Sequence, residues 1–218
     1  KTKKDLSIYY TPGVAEVCHA IHQDKSKIYD YTMKGNAVAI VTDGTRILGL
    51  GNIGPEAGLP VMEGKAMIMS QFADIDAFPI CLDTTDENKI VEIVKALKPV
   101  FGTINLEDIE TPKVFRIYDR LSEEMDIPVF HDDQYGTGMV VLAGLINAMK
   151  ILGIKKETAK VGIVGCGSAG YGVAQILDVY GFKNVICFDS KGAIYKGRND
   201  LIYHKKKIAE LINQEQFK

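Results

Sequence analysis

The chain alternates between short apolar runs and longer segments whose apolar positions recur every three or four residues. The first kind reads as strands, the second as helices laid across them. Residues 77–82, 99–105 and 127–130 are such runs, with helical patterns at 87–97 and 111–125 between them. Strand, helix, strand in that order predicts right-handed parallel crossovers and an open α/β sheet. Earlier, residues 36–42 and 46–50 are β-rich and joined by Asp43-Gly44-Thr45, which predicts a hairpin. A short helix is expected at 12–22, where Thr11 can cap and Pro12 can occupy the first turn, and another at 59–72.

Residues 136–152 form a long, mostly apolar helical pattern in which Gly138, Ala143 and Gly144 permit close packing. It is expected to be a buried connector between two domains, with the boundary near Gly153. Beyond it a strand at 160–164 feeds Gly165-Cys166-Gly167-Ser168-Ala169-Gly170, then a helix through Tyr180 and a strand at 184–188 that ends at Asp189. A G-x-G-x-x-G run says little alone, but here a strand precedes it, a helix follows, and an acidic residue lies 24 positions past the first glycine. Gly165 makes the turn, Gly167 lets a pyrophosphate approach the helix amino end, and Gly170 allows helix-to-strand contact. Gly165, Gly167, Ser168, Gly170 and Asp189 are thus the candidate dinucleotide residues. The predicted fold class is α/β: a parallel-sheet catalytic domain at 1–152, then the first part of a Rossmann-like dinucleotide-binding domain at 153–218.

Composition narrows the function classes. The chain is 46% hydrophobic with a net charge of −2 and a pI near 6.1, which offers no field for nucleic acid. The lone basic run, Lys205-Lys206-Lys207, is too short to change that. No amino-terminal signal pattern is present, and unbroken apolar runs such as residues 139–143 fall far short of the roughly 20 residues that span a bilayer, so no membrane association is expected. Cys18, Cys81, Cys166 and Cys187 have no C-x-x-C spacing, which fits reduced thiols in a cytoplasmic compartment.

Two acidic pairs, Glu107-Asp108 and Asp132-Asp133, each follow a predicted strand closely. In a right-handed crossover both emerge at one carboxyl edge, where open α/β sheets place their ligands. Four converging carboxylates repel unless a proton or cation lies among them, and hard oxygens suit Mg²⁺ or Mn²⁺. Taken singly, each pair reads equally as an acidic loop that caps the helix after it. Lys65 lies in an apolar helical stretch and reads either as a snorkelling lysine or as a base whose pKa is lowered by apolar surroundings and a nearby cation. Tyr10, just before a helix start, reads by pattern as a packing residue.

With these residues in view the sequence resembles the malic enzyme family along essentially its whole length. The resemblance is carried by Tyr-Thr-Pro-Gly-Val (10–14), Thr-Asp-Gly-Thr-Arg-Ile-Leu-Gly-Leu-Gly-Asn-Ile-Gly (42–54), Glu-Gly-Lys (63–65), Asn-Leu-Glu-Asp (105–108), Phe-His-Asp-Asp-Gln (130–134) and Asp-Ser-Lys-Gly (189–192). It implies oxidative decarboxylation of L-malate to pyruvate and CO₂ with reduction of NAD or NADP, in a cytoplasmic homo-oligomer, a dimer. It further implies Lys65 as general base, Tyr10 as general acid, Asp132 as the carboxylate supporting the lysine and Arg46 as a holder of substrate carboxylate. Glu107, Asp108 and Asp133 correspond to the ligands of Mg²⁺ or Mn²⁺. Asp189 argues for an unphosphorylated ribose, whereas Lys191, Lys196 and Arg198 could receive a 2′-phosphate. Two features depart from the family: Tyr135-Gly136-Thr137-Gly138 stands where many relatives have His-Gly-Thr-Ala, and the sequence ends soon after the second strand of the dinucleotide unit, as a fragment would.

Overall fold

The structure, a computed structural model, describes residues 2–213 and 217. Two short helices, α1 (Lys3–Tyr9) and α2 (Val14–Gln23), and a single turn, α3 (Ile28–Tyr31), come first, and none of them buries a residue. Thr2 and Asp5 close the start of α1 with a reciprocal capping box. Then follow β1 (Ala37–Thr42), α4 (Pro55–Ala73), β2 (Asp76–Cys81), α5 (Glu87–Ala96), β3 (Thr103–Leu106), α6 (Lys113–Glu124) and β4 (Val129–His131). The four strands form one sheet in the order β2-β1-β3-β4, every pair parallel.

The predicted hairpin does not form. β1 has β2 on one side and β3 on the other, so no edge remains for residues 46–50 to pair with. Its unbroken apolar run, Ala-Val-Ala-Ile-Val, buried at every position, is the mark of a central parallel strand rather than of a half-exposed hairpin arm. After Thr42 the chain instead makes a compact loop. Asp43 Oδ1 accepts hydrogen bonds from the Thr45 amide at 3.1 Å and hydroxyl at 2.6 Å, and Leu48 sits in left-handed backbone with φ 48°. A Cβ on Gly44, at φ 71°, would lie 2.2 Å from the Gly54 carbonyl carbon, so only glycine fits that turn. α4 starts earlier than its apolar pattern suggests because Pro55 opens the first turn.

A single π-helical turn, Asp132–Gly136, leads into α7 (Thr137–Leu152). Next come β5 (Lys160–Val164), α8 (Ser168–Tyr180), β6 (Asn184–Asp189), β7 (Gly192–Ala193) and α9 (Tyr203–Leu211). β5 and β6 are parallel, and β7 adds antiparallel to β6. α7 is not the buried connector expected from its composition. Gly138 is the one residue of the helix that is buried, where a Cβ would lie 3.0 Å from the Gly172 carbonyl oxygen of α8, while nothing approaches Gly144 within 4 Å. The stretch Asp132–Leu152, 21 residues, is long and apolar enough by length and composition to cross a membrane, a property that counting unbroken apolar runs overlooks. Here its amino end delivers two carboxylates to a sheet edge and its first turn packs on α8.

One apolar cluster runs through both sheets, from Ile104, Leu106 and Phe115 to Tyr171, Leu177, Val185 and Ile208. At its centre the Phe115 ring meets Tyr171 at 4.9 Å and His204 at 4.8 Å between centroids. Asp119 on α6 accepts from the Tyr203 hydroxyl and the Lys207 ammonium of α9, each at 2.5 Å. α9 is thereby tied to the helix that follows the first acidic pair.

Candidate active site at the carboxyl sheet edge

Because β1, β3 and β4 are parallel, the segments after them open on the same edge. Glu107 and Asp108 come from the end of β3, Asp132 and Asp133 from the turn after β4, and Arg46 from the loop after β1. Lys65 enters from α4. Arg46, Lys65, Glu107, Asp108 and Asp133 line a cavity of about 530 Å³ whose other wall is apolar, from Leu48, Val61, Met67 and Ile68. The structure therefore gathers both acidic pairs, the lysine and the arginine in one place. A second cavity, of about 320 Å³, lies against β5 and β6 and holds none of these residues.

Lys65 is held between anions. Its Nζ donates to Asp132 Oδ2 at 2.7 Å and stands 3.0 Å from Glu107 Oε1. Burial works against the ammonium, but Asp132 and Glu107 together outweigh it and hold the pKa above its ordinary value. Of the two readings of Lys65, the one with a lowered pKa called on apolar surroundings and a nearby cation; with Asp132 and Glu107 beside the nitrogen the shift is upward, since the pattern along one helix does not show which carboxylates a distant turn brings to it. Glu107 itself is pushed up, chiefly by burial, with Lys65 and Asn105 opposing. Its second oxygen accepts from Asn105 Nδ2 at 2.8 Å.

Asp108 and Asp133 face each other across the loops. Asp108 adopts left-handed backbone with φ 52°, a conformation that aspartate tolerates better than most residues. Burial, and then the neighbouring Asp133 charge, push its carboxyl up to about 6. For Asp133 burial acts upward too, yet His131 and Arg46, with the Asp108 amide donating to its carboxylate, hold it below the ordinary value. Asp133 Oδ2 is buried with no hydrogen-bond partner among the described residues, 3.7 Å from His131 Nε2. A buried carboxylate oxygen without a hydrogen bond, beside a second carboxyl raised by burial and then by like charge, suits a divalent cation. As the side chains stand, no three His, Cys, Asp or Glu groups among the described residues converge tightly enough to hold one, and Glu107 spends its oxygens on Lys65 and Asn105.

Arg46 links this cavity to the second sheet. Its NH1 donates to Ser168 Oγ at 3.5 Å, and Ser168 is the buried first residue of α8. The glycine loop before it places the three glycines differently. Gly165 turns at φ 99°, Gly167 has no atom within 4 Å of where a Cβ would stand, and a Cβ on Gly170 would lie 1.9 Å from the Gly165 carbonyl oxygen. Asp189 is not a free acceptor: its Oδ2 takes Arg198 and Lys205, each at 2.6 Å, and its Oδ1 the Lys191 amide at 3.0 Å, so its carboxyl is held far below the usual range, first by Arg198. Tyr10 is 70% exposed at the end of α1 and does not line the cavity.

Asn105, His131, Gln134 and the pair Asp43–Lys113 were not singled out from sequence as site residues. A polar Asn and His inside otherwise apolar strands were the available signal; the ion pair, 2.6 Å between residues 70 apart, had none.

Comparison with known proteins matches two family models, one toward each end of the chain. Residues 1–90 match the malic enzyme N-terminal domain and residues 134–217 the malic enzyme NAD binding domain. The chain belongs to the malic enzyme family. It is 56% identical over 216 residues to the bifunctional malic/malolactic enzyme of Bacillus subtilis and 54% identical over 218 residues to the NAD-dependent malic enzyme of Geobacillus stearothermophilus. These alignments cover 99% and 100% of the chain but 53% and 46% of the relatives, so the chain spans about half their length. The crystal structure of the NAD-dependent malic enzyme of Thermotoga maritima superposes with a TM-score of 0.94 at 52% identity, over 100% of this chain and 58% of that one. Family members named for NAD and for NADP both occur among the relatives.

Proposed function

We propose that the protein to which this chain belongs catalyses oxidative decarboxylation of L-malate to pyruvate and CO₂ with reduction of NAD or NADP, as a cytoplasmic homodimer. The observation that carries this reading is Lys65, set between Asp132 and Glu107 in the cavity that Arg46 connects to the glycine loop. Arg46 pairs with a substrate carboxylate, which orients malate with its C2 hydroxyl toward Lys65. Lys65, once it has released its own proton to solvent, takes the hydroxyl proton as hydride passes from C2 to NAD or NADP, and Asp132 stabilises the ammonium that results. With the Glu107 oxygens released from Lys65 and Asn105, Glu107, Asp108 and Asp133 would hold Mg²⁺ or Mn²⁺, which would supply charge stabilisation during decarboxylation. Tyr10, exposed and outside the lining of its own cavity, serves as the acid at C3 in the site of the second copy. Residues 1–152 form the catalytic part and 153–218 the start of the dinucleotide part.

The test is malate-dependent reduction of NAD or NADP by the full-length protein with Mn²⁺, followed spectrophotometrically in parent and Lys65→Ala. Turnover should fall roughly 10²- to 10⁴-fold with Mn²⁺ affinity little changed. Near-normal turnover in the variant would return Lys65 to an ordinary half-buried lysine.

A further inference from the structure

We propose that His204 on α9 is a positioning residue for the dinucleotide loop: it fixes the Cys166–Gly167 peptide so that the Gly167 amide faces the bound pyrophosphate. This rests on the reading of residues 165–170 as the phosphate-binding loop.

His204 is 2% exposed, and its Nε2 lies 2.8 Å from the carbonyl oxygen of Cys166, the residue between the first two glycines. A carbonyl only accepts, so Nε2 carries the proton and Nδ1 is bare. Nδ1 is buried with no hydrogen-bond partner among the described residues, where the Cys166 contact is the hydrogen bond that holds the ring. In a planar trans peptide the carbonyl and the next amide point in opposite directions. With the Cys166 oxygen drawn to His204, the Gly167 N–H is turned the opposite way, away from the ring, and no atom lies within 4 Å of where a Cβ on Gly167 would stand. Two further bonds brace the loop on β6: the Gly165 amide donates to the Phe188 carbonyl at 2.8 Å and the Cys166 thiol to the same oxygen at 3.4 Å.

His204 is in turn anchored from the catalytic side. Its ring lies against Phe115 of α6, and its neighbour Tyr203, with Lys207, binds Asp119 on the same helix. α6 begins a few residues after the Glu107-Asp108 loop. The orientation of the phosphate loop is therefore referenced to the half of the site that holds the substrate.

Two substitutions separate the hydrogen bond from the packing. His204→Phe keeps a ring against Phe115 and Tyr171 but removes the donor; His204→Gln keeps a donor amide at similar reach and removes the ring. In the full-length protein, NADH and NADPH affinities by fluorescence should weaken roughly tenfold in the Phe variant. The KM for the dinucleotide should rise with it, while Mn²⁺ affinity by calorimetry and the KM for malate stay near those of the parent; the Gln variant should recover most of the dinucleotide affinity. Unchanged dinucleotide affinity in His204→Phe, or equal losses in dinucleotide, malate and Mn²⁺ binding, would overturn the proposal. Should the Phe variant fail to fold, the imidazole ¹⁵N shifts of the parent decide: a protonated Nε2 with bare Nδ1 supports it, and the opposite tautomer refutes it. Dinucleotide binding without malate oxidation would refute the proposed activity and leave this inference standing.

Discussion

Replacing Lys113 by Met should be among the most destabilising single changes available in this chain. The Lys113 ammonium lies 2.6 Å from Asp43 Oδ2, and the Asp43 side chain is 0% exposed. Glu110, the other anion near Lys113, stands 3.3 Å away and is half exposed, so water can take over its solvation. Water cannot reach Asp43. Methionine keeps the length of the lysine stem and removes only the charge, which leaves a carboxylate with the Thr45 amide and hydroxyl as its remaining partners. Breaking one side of a buried pair costs about 3 to 5 kcal/mol, whereas removing both charges together is often close to neutral. Urea unfolding of the full-length protein should therefore show Lys113→Met destabilised by about that amount and the double variant Asp43→Asn, Lys113→Met recovering much of it. The loss should reach the site as well. Thr45 Oγ1, held by Asp43, accepts the Glu110 amide at 3.0 Å, and the Arg46 amide donates to the Asp108 carbonyl at 3.1 Å, so the pair rivets the loop after β1 to the loop after β3. A single-variant cost below about 1 kcal/mol, the range of an exposed pair, would refute the view that Asp43 has no other source of solvation.

Asp133→Asn removes one charge from the proposed hard-cation site, and Mn²⁺ affinity measured by calorimetry should fall; unchanged affinity would remove Asp133 from the ligand set. Asp108, with its carboxyl pushed up to about 6, must lose its proton to bind a cation, so Mn²⁺ affinity should drop by up to about tenfold per pH unit below that value. For the metal-free protein the sign is opposite: the Asp108 contribution to stability is full below its ordinary value of 3.8 and is lost as pH rises through about 6, which acid-range unfolding curves can check. Gly167→Ala should fold normally, since nothing crowds that position, yet lose NADH affinity in a fluorescence titration; Gly170→Ala, forced against the Gly165 carbonyl, should lose thermal stability as well.

Much of this protein was legible in residue order because the features concerned are local. Strand-helix-strand periodicity placed β2, β3, β4 and the helices between them, and the glycine spacing at 165–170 marked a turn whose demands, a positive φ at Gly165 and no Cβ at Gly170, are set by the backbone itself. Parallel crossovers then put Glu107-Asp108 and Asp132-Asp133 on one edge without knowledge of any contact.

Tertiary structure decided whatever depends on who sits next to whom. Residues 46–50 have the composition of a strand, but strand formation needs a free edge, and β2 and β3 had taken both sides of β1. α7 has the composition of a buried helix, yet how far it is covered depends on what packs there, and in this chain α8 meets it closely at Gly138. The charge of Lys65 and the pairing of Asp189 likewise turn on partners 42 and 67 positions away from Lys65 and 9 and 16 from Asp189. A pKa is a property of the electrostatic neighbourhood, which falls off over a few ångströms in space and has no fixed length along the chain.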